Sequence, residues 1–360
     1  MPPIALHGSR ALGAPRRSTL WTLAETCLTQ YRPLASPSQN SPTPAGASHP
    51  QLLVRTAASP DSRPPRCRRN ASGLWCIPAF HIIGVSKCGT TDLYRRLALH
   101  PHVTGSHNKG PHFWDEGHTF DWYLRLYDIS AVAIQRDPGH VVVGDASSNT
   151  LTFSGIGVRS SRQLAGGVTL PQVLAALQPG LRMVAILRNP TERLLSAFLY
   201  YRHYAVIHGA SADGFHAFAT AQLEAFRQSC DAGATPLECR QRGYARAEQL
   251  TKGLYALFLP DYFAAFPREQ LLVLRSEEYG NATEASLRKV LAHLRLQHPE
   301  PDVWASMLTA KRSNTRRGGD TFEMHAKTRA MLQEFYRPYN NNLAQLLGDD
   351  GYRWHDAGAG

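Results

Sequence analysis

Residues Gly84 to Asp92, reading Gly-Val-Ser-Lys-Cys-Gly-Thr-Thr-Asp, hold the groups in this chain best suited to gripping an anion. Gly84 and Gly89 let the main chain bend, Thr90, Thr91 and Asp92 offer helix-capping oxygens, and Lys87 adds a point charge. The apolar, β-branched run from Phe80 to Val85 reads as a buried strand, and Leu93 to Leu99 has helical spacing. A strand, a glycine loop and a helix start in succession aim main-chain N–H groups at a phosphate, at the positive end of a helix dipole. A nucleoside-triphosphate loop needs G-x-x-x-x-G-K-[ST], with lysine after the second glycine. Here Lys87 precedes Gly89, which argues against a P-loop nucleotide kinase.

A second grip lies further on. Arg188 follows the apolar strand Leu181 to Leu187, and Asn189-Pro190-Thr191-Glu192 starts a helix, with Asn189 as N-cap and Glu192 placed as in a capping box. Ser196 falls two helical turns in. A guanidinium and a hydroxyl so spaced can hold one phosphate from two sides.

The elements that position these residues alternate. Strands are expected at 80–85, 140–145, 181–187 and 270–275, and a short one at 103–104, with helical patterns between them. That alternation implies an α/β fold: a P-loop-like parallel sheet of four to five strands flanked by helices, with ligands at the carboxyl ends of the strands. The predicted domain runs over 79–355. Residues 1–78 form a Pro/Arg-rich N-terminal segment expected to be disordered. Residues 1–79 hold nine arginines, two acids and 12 of the 24 prolines, and so most of the net charge of +11. A basic excess placed there, without interleaved aromatics, speaks against nucleic-acid binding.

No run of about 20 apolar residues supplies a membrane span, and Leu20 to Leu28 is interrupted by Thr22, Glu25 and Thr26. Membrane association is expected only if an anchor precedes this sequence. Cys67 and Cys76 are nine residues apart, as are Cys230 and Cys239, and each pair fits a disulfide in an oxidising compartment. Asn70-Ala-Ser and Asn281-Ala-Thr are glycosylation sequons. His100, His102, His107, His112 and His118 cluster, but their spacing fits no helical ligand pair, so no metal is expected.

Taken together, the loop from Ile82 to Tyr94, Lys109-Gly-Pro-His-Phe-Trp114, Gly144-Asp-Ala-Ser147, Leu187 to Ser196 and Phe335-Tyr-Arg-Pro-Tyr-Asn340 resemble the carbohydrate sulfotransferases. Within them the likeness is greatest to the N-acetylgalactosamine 4-sulfate 6-O-sulfotransferase group. It covers roughly Cys76 to Trp354. The resemblance implies 3′-phosphoadenylyl sulfate as donor, with Lys87, Cys88, Gly89, Thr90, Thr91 and Asp92 around the 5′-phosphosulfate and Arg188 and Ser196 on the 3′-phosphate. The basic stretch Lys311 to Arg317 is similar to the family's nucleotide-closing loop, which adds Arg312, Arg316 and Arg317. An anionic glycan such as chondroitin or dermatan sulfate is the implied acceptor, and the Golgi lumen the implied compartment.

One position departs from the family. The related enzymes place a catalytic glutamate two residues before the histidine of K-E-P-H, and this chain has Gly110 there. Asp115, Glu116 and Asp145 lie near in sequence or at a strand end. His112 is the expected base, because its ordinary pKa suits proton transfer near neutrality. Lys87 is expected to neutralise the leaving phosphate oxygen. Arg95, Arg96, Lys109, Arg159 and Arg162 are expected to line a groove for the glycan. Two other readings stand beside this one: a non-catalytic binder of nucleotide or sulfated glycan, which Gly110 would allow, and a P-loop nucleotide kinase, against which the missing G-K-[ST] argues.

Overall fold

The computed structural model describes residues 66–70, 73–106, 108–116, 118–137, 139–153, 169–230, 235–313 and 322–354. Its centre is a five-stranded, all-parallel sheet. β3 (Phe80–Gly84) lies in the middle, β5 (Val142–Asp145) and β4 (Val103–Gly105) on one side, β6 (Arg182–Leu187) and β7 (Leu271–Arg275) on the other. Phe80 registers with Gly144 on one neighbour and Arg182 on the other. β3 is buried throughout, as is β6 after its first residue, because helices cover both faces.

The strand order changes direction around β3, and parallel sheets bind ligands outside such a point. Four segments meet there. They are the glycine loop after β3, residues 146–149 after β5, Arg188 after β6 and the helix Ser276–Asn281 after β7.

A second apolar cluster lies beside the sheet core. Leu194, Phe198, Phe215, Phe218, Leu250, Leu332 and Tyr336 build it from the helices Pro190–Tyr200, Ala212–Ser229 and Ala326–Leu347 and the short Glu248–Thr251 turn. The disulfide Cys230–Cys239 ties the end of the 212–229 helix to the helix Pro236–Arg246.

Part of the segment 1–78 is structured. β1 (Arg66–Asn70) and β2 (Gly73–Ile77) form an antiparallel hairpin, bridged by Cys67–Cys76. Cys67, Leu74, Cys76 and Ile77 are buried in the sheet core, so the disulfide and the core hold a hairpin too short to show periodicity. The remainder, residues 1–65, lies outside the described residues. Among those described, no helix is long and apolar enough to cross a membrane.

Candidate active site

The helix Thr90–Leu97 starts differently from the sequence expectation. Gly89, at φ 104, is its N-cap, and no side chain caps it. Its first-turn N–H groups therefore remain for whatever enters the cavity bounded by Ser86 to Asp92. Lys87 adopts φ 71, a left-handed conformation that an L residue holds only when its surroundings impose it. Its ammonium sits 3.2 Å from the ring centroid of Tyr200, a cation–π contact that sequence reasoning missed.

Cys88 and Asp92 both line the cavity, and their side chains are turned to other partners. The Cys88 thiol is buried, 3.8 Å from the Tyr255 hydroxyl, and burial pushes its pKa up to about 11. Its side chain faces the core, leaving only its main chain for a ligand. The Asp92 carboxylate accepts from the Tyr279 hydroxyl (2.6 Å), Arg96 Nε (2.8 Å) and the Ser313 amide (2.9 Å). Burial opposes its ionisation, yet those three donors hold it below the ordinary carboxylate range. Asp92 thus joins the loop helix to two distant segments. Arg96 is buried with it, donating also to the carbonyls of Met307, Leu308 and Ala310, and so does not line a glycan groove.

Arg188 and Ser196 both line the same cavity, as expected. Asn189 caps its helix by accepting from Thr191 N at 3.0 Å. The capping-box partner, however, comes from elsewhere. Glu277 accepts from Asn189 N at 2.9 Å, while Glu192 pairs with Arg329 at 2.6 Å. Arg193 is fully buried and donates to the carbonyls of Ser86 and Gln249, which anchors the lysine loop from beneath. Arg312 donates to the Gly280 carbonyl at the cavity rim. Arg159, Arg162, Arg316 and Arg317 lie outside the described residues.

Gly110 is a point of close approach. A Cβ there would stand 2.6 Å from the Ala146 carbonyl oxygen and 3.0 Å from Ser147 Cα, both main-chain atoms. The glycine lets the 108–112 segment rest against the loop after β5, where His112 N donates to Ser147 Oγ at 3.0 Å. His112, at φ 54, is the second non-glycine residue of this cavity held in the left-handed region. Its Nδ1 lies 3.2 Å from both oxygens of Asp115, and Asn149 Nδ2 donates to the same carboxylate at 2.7 Å. Burial pulls the imidazole pKa down, but the hydrogen bond and charge of Asp115, with Glu116 and Asp145, outweigh it and hold His112 above its ordinary value.

Lys109 reaches the loop helix, donating to Thr90 Oγ1 at 3.2 Å. Burial pushes its pKa down to about 8, against the pull of Asp145 and with that of Arg95. It therefore belongs to the anion cavity, where spacing alone had put it in an outer groove. Asp145 does not face the cavity. It accepts from Tyr123 and Tyr127 at 2.8 and 2.9 Å and from Ser147 N at 2.7 Å, deep under the loop.

The described histidines do not converge on a point. His100 contacts the Gln297 carbonyl, His102 stacks on His140, and His118 stacks on Trp122. His107 lies outside the described residues, among which no group suits a metal ion. Asn281 is exposed at the cavity edge, and Asn70 ends β1.

The cavity holds about 840 Å³ and gathers Lys87, Lys109, Arg188 and Arg312 around one loop. It can bind a polyanion at two separated phosphate grips and present it to the His112–Asp115 pair. A smaller chamber of about 320 Å³ adjoins it, and Glu116, Asn149 and Tyr201 line both.

Residues 78–315 match the Sulfotransferase domain family. Human "Carbohydrate sulfotransferase 15" is 32% identical over 78% of this chain and 55% of its own length. Mouse "Bifunctional heparan sulfate N-deacetylase/N-sulfotransferase 1" is 26% identical over 75% of this chain and 30% of its own. The chain thus spans about half or less of these relatives. The crystal structure of a sulfotransferase from Alicyclobacillus acidocaldarius has the same fold, with a TM-score of 0.50 and 24% identity over 77% of this chain and 99% of that one. From the matched residues, this chain belongs to the sulfotransferase family.

Proposed function

We propose that this protein transfers a sulfo group from 3′-phosphoadenylyl sulfate to a hydroxyl of a glycan. The observation that carries the reading is two anion grips and His112, itself bonded to Asp115, gathered around one cavity. Main-chain N–H groups of the 86–92 loop and Lys87 hold the 5′-phosphosulfate. Arg188 and Ser196 hold the 3′-phosphate, and Arg312 closes the rim. Sulfuryl transfer gathers charge on the equatorial and bridging oxygens, so positioned cations do most of the work, as in phosphoryl transfer. Lys87 neutralises the oxygen that leaves with the nucleotide.

Gly110 supplies no carboxylate, and His112 takes the acceptor proton in its place. Asp115 accepts from Nδ1–H, which leaves Nε2 as the basic nitrogen. Glycosaminoglycans of the chondroitin/dermatan type are the proposed acceptors, by the resemblance to the 4-sulfate 6-O group. The two disulfides favour an oxidising compartment such as the Golgi lumen.

Thermal unfolding with nucleotides tests the donor assignment. At a hundredfold excess over its Kd, 3′-phosphoadenosine 5′-phosphate is expected to stabilise by about 2.7 kcal/mol, and Arg188→Ala to remove most of that gain. ATP, which lacks a 3′-phosphate, should stabilise less; equal stabilisation by ATP rejects the donor.

A further inference from the structure

We infer that Tyr200 is a positioning residue for the donor, its ring holding the Lys87 ammonium ready for the 5′-phosphosulfate. The inference rests on the donor assignment above and adds to it a residue that acts through Lys87.

The helix Pro190–Tyr200 meets the lysine loop along one face. Arg193, Ser196 and Tyr200 are three and four residues apart, the spacing that stacks side chains on one side of a helix. Arg193 is buried and donates to the Ser86 carbonyl at 3.4 Å, so it holds the main chain of the loop. Ser196 and Tyr200 line the donor cavity together with Lys87. Tyr200 ends the helix, and its ring centroid stands 3.2 Å from Lys87 Nζ. One helix thus fixes the loop beside the lysine and also meets the tip of the lysine side chain. Leu194, Leu195 and Phe198 seat that helix in the second apolar cluster, which gives the ring a firm base.

Packing does not account for the ring. Tyr200 is 54% exposed, whereas Phe198, two residues before it, is fully buried. An aromatic ring left half in solvent adds little to a core, but its face still attracts a cation.

The type of contact suits an anion site. A π face attracts the ammonium without cancelling its charge, and the N–H groups stay able to donate to a phosphate. Two other cations of the cavity are also held by neutral groups: Lys109 donates to Thr90 Oγ1 at 3.2 Å and Arg312 to the Gly280 carbonyl. A lysine stem is long and flexible, so restraining it before the ligand arrives lowers the ordering cost of binding.

Calorimetric titration of the full chain with 3′-phosphoadenosine 5′-phosphate and with adenosine 3′-phosphate tests the inference. Tyr200→Leu keeps an apolar side chain and removes the π face. It is expected to weaken 3′-phosphoadenosine 5′-phosphate by about 3–30-fold, the range of a cation–π contact. Adenosine 3′-phosphate lacks the group that Lys87 meets, so its affinity should not change. Tyr200→Phe keeps the π face and should bind both nucleotides as the unaltered protein does. In a Lys87→Met background, Tyr200→Leu should cost nothing further. Equal losses for both nucleotides would make Tyr200 a direct nucleotide contact and overturn the inference. Undiminished affinity in Tyr200→Leu, a Phe variant as weak as the Leu one, or a loss that persists beside Lys87→Met also overturns it, and the donor reading then stands. If the unaltered protein binds neither nucleotide, the donor reading fails and the inference falls with it.

Discussion

The donor cavity and the smaller chamber beside it share a wall, yet they are made from different parts of the protein. The cavity is built from main-chain amides, glycines and cations at strand ends. The chamber is built from side chains that arrive from helices far apart in sequence: Asp115 near one sheet edge, Tyr201 and Tyr204 after the 190–200 helix, Tyr244 from the disulfide-tied helix and Glu248 beyond it. A phosphate has one shape and a fixed charge, so a local loop can recognise it. The chamber needs several elements to close it, so no single stretch of sequence encodes it.

The largest expected effect falls on the wall between the two. His112→Ala should lower turnover by about 10²–10⁴-fold without weakening nucleotide binding, measured as sulfate incorporation beside nucleotide titration. Loss of nucleotide affinity in that variant would move His112 to the donor side of the comparison. Unchanged turnover would end its role as base.

Gly110→Glu comes next. The family resemblance invites restoring a carboxylate at this position, but the contacts with Ala146 and Ser147 oppose it. Chemical denaturation should show destabilisation of about 1–3 kcal/mol from overpacking, with no gain in turnover. A faster and equally stable variant would show that the 108–112 segment yields freely.

The smallest effect concerns pH. Activity should fall as pH drops through the raised His112 pKa, since the base must be neutral. Asp115→Asn removes the hydrogen bond and charge that raise that pKa, so the acidic limb of kcat should move to lower pH. Stability carries the opposite sign. The raised pKa lets the protonated histidine stabilise the fold below its unfolded value, and that contribution disappears as pH rises through the folded one. An acidic limb that does not move would detach Asp115 from the imidazole.

The donor cavity was largely legible in sequence because its parts are local. Gly84 to Asp92 and Arg188 to Ser196 each lie within about nine residues, and β3 and β6 put both at neighbouring strand ends. What sequence could not show was pairing across long separations. Tyr200 over Lys87, Glu277 on Asn189 N and Ser313 on Asp92 leave no periodic signal. The direction of Asp145 was not readable, because the end of a strand tells which loop a residue enters, not which way its side chain turns. The chamber was unreadable for the same reason. The hairpin at 66–77 escaped notice because a bridged pair of five-residue strands depends on a disulfide and a distant core more than on pattern.

Gly110 has a further consequence, for the loop it rests against. A side chain at 110 would meet main chain, and main chain cannot be trimmed by a neighbouring substitution. Any side chain there requires the 146–147 loop to move first, and that loop also carries the Ser147 hydroxyl bonded to His112 N. A larger residue at 110 would therefore disturb His112 through the main chain and not by direct contact. Gly110 thus couples two loops, and a change at one calls for a compensating change at the other.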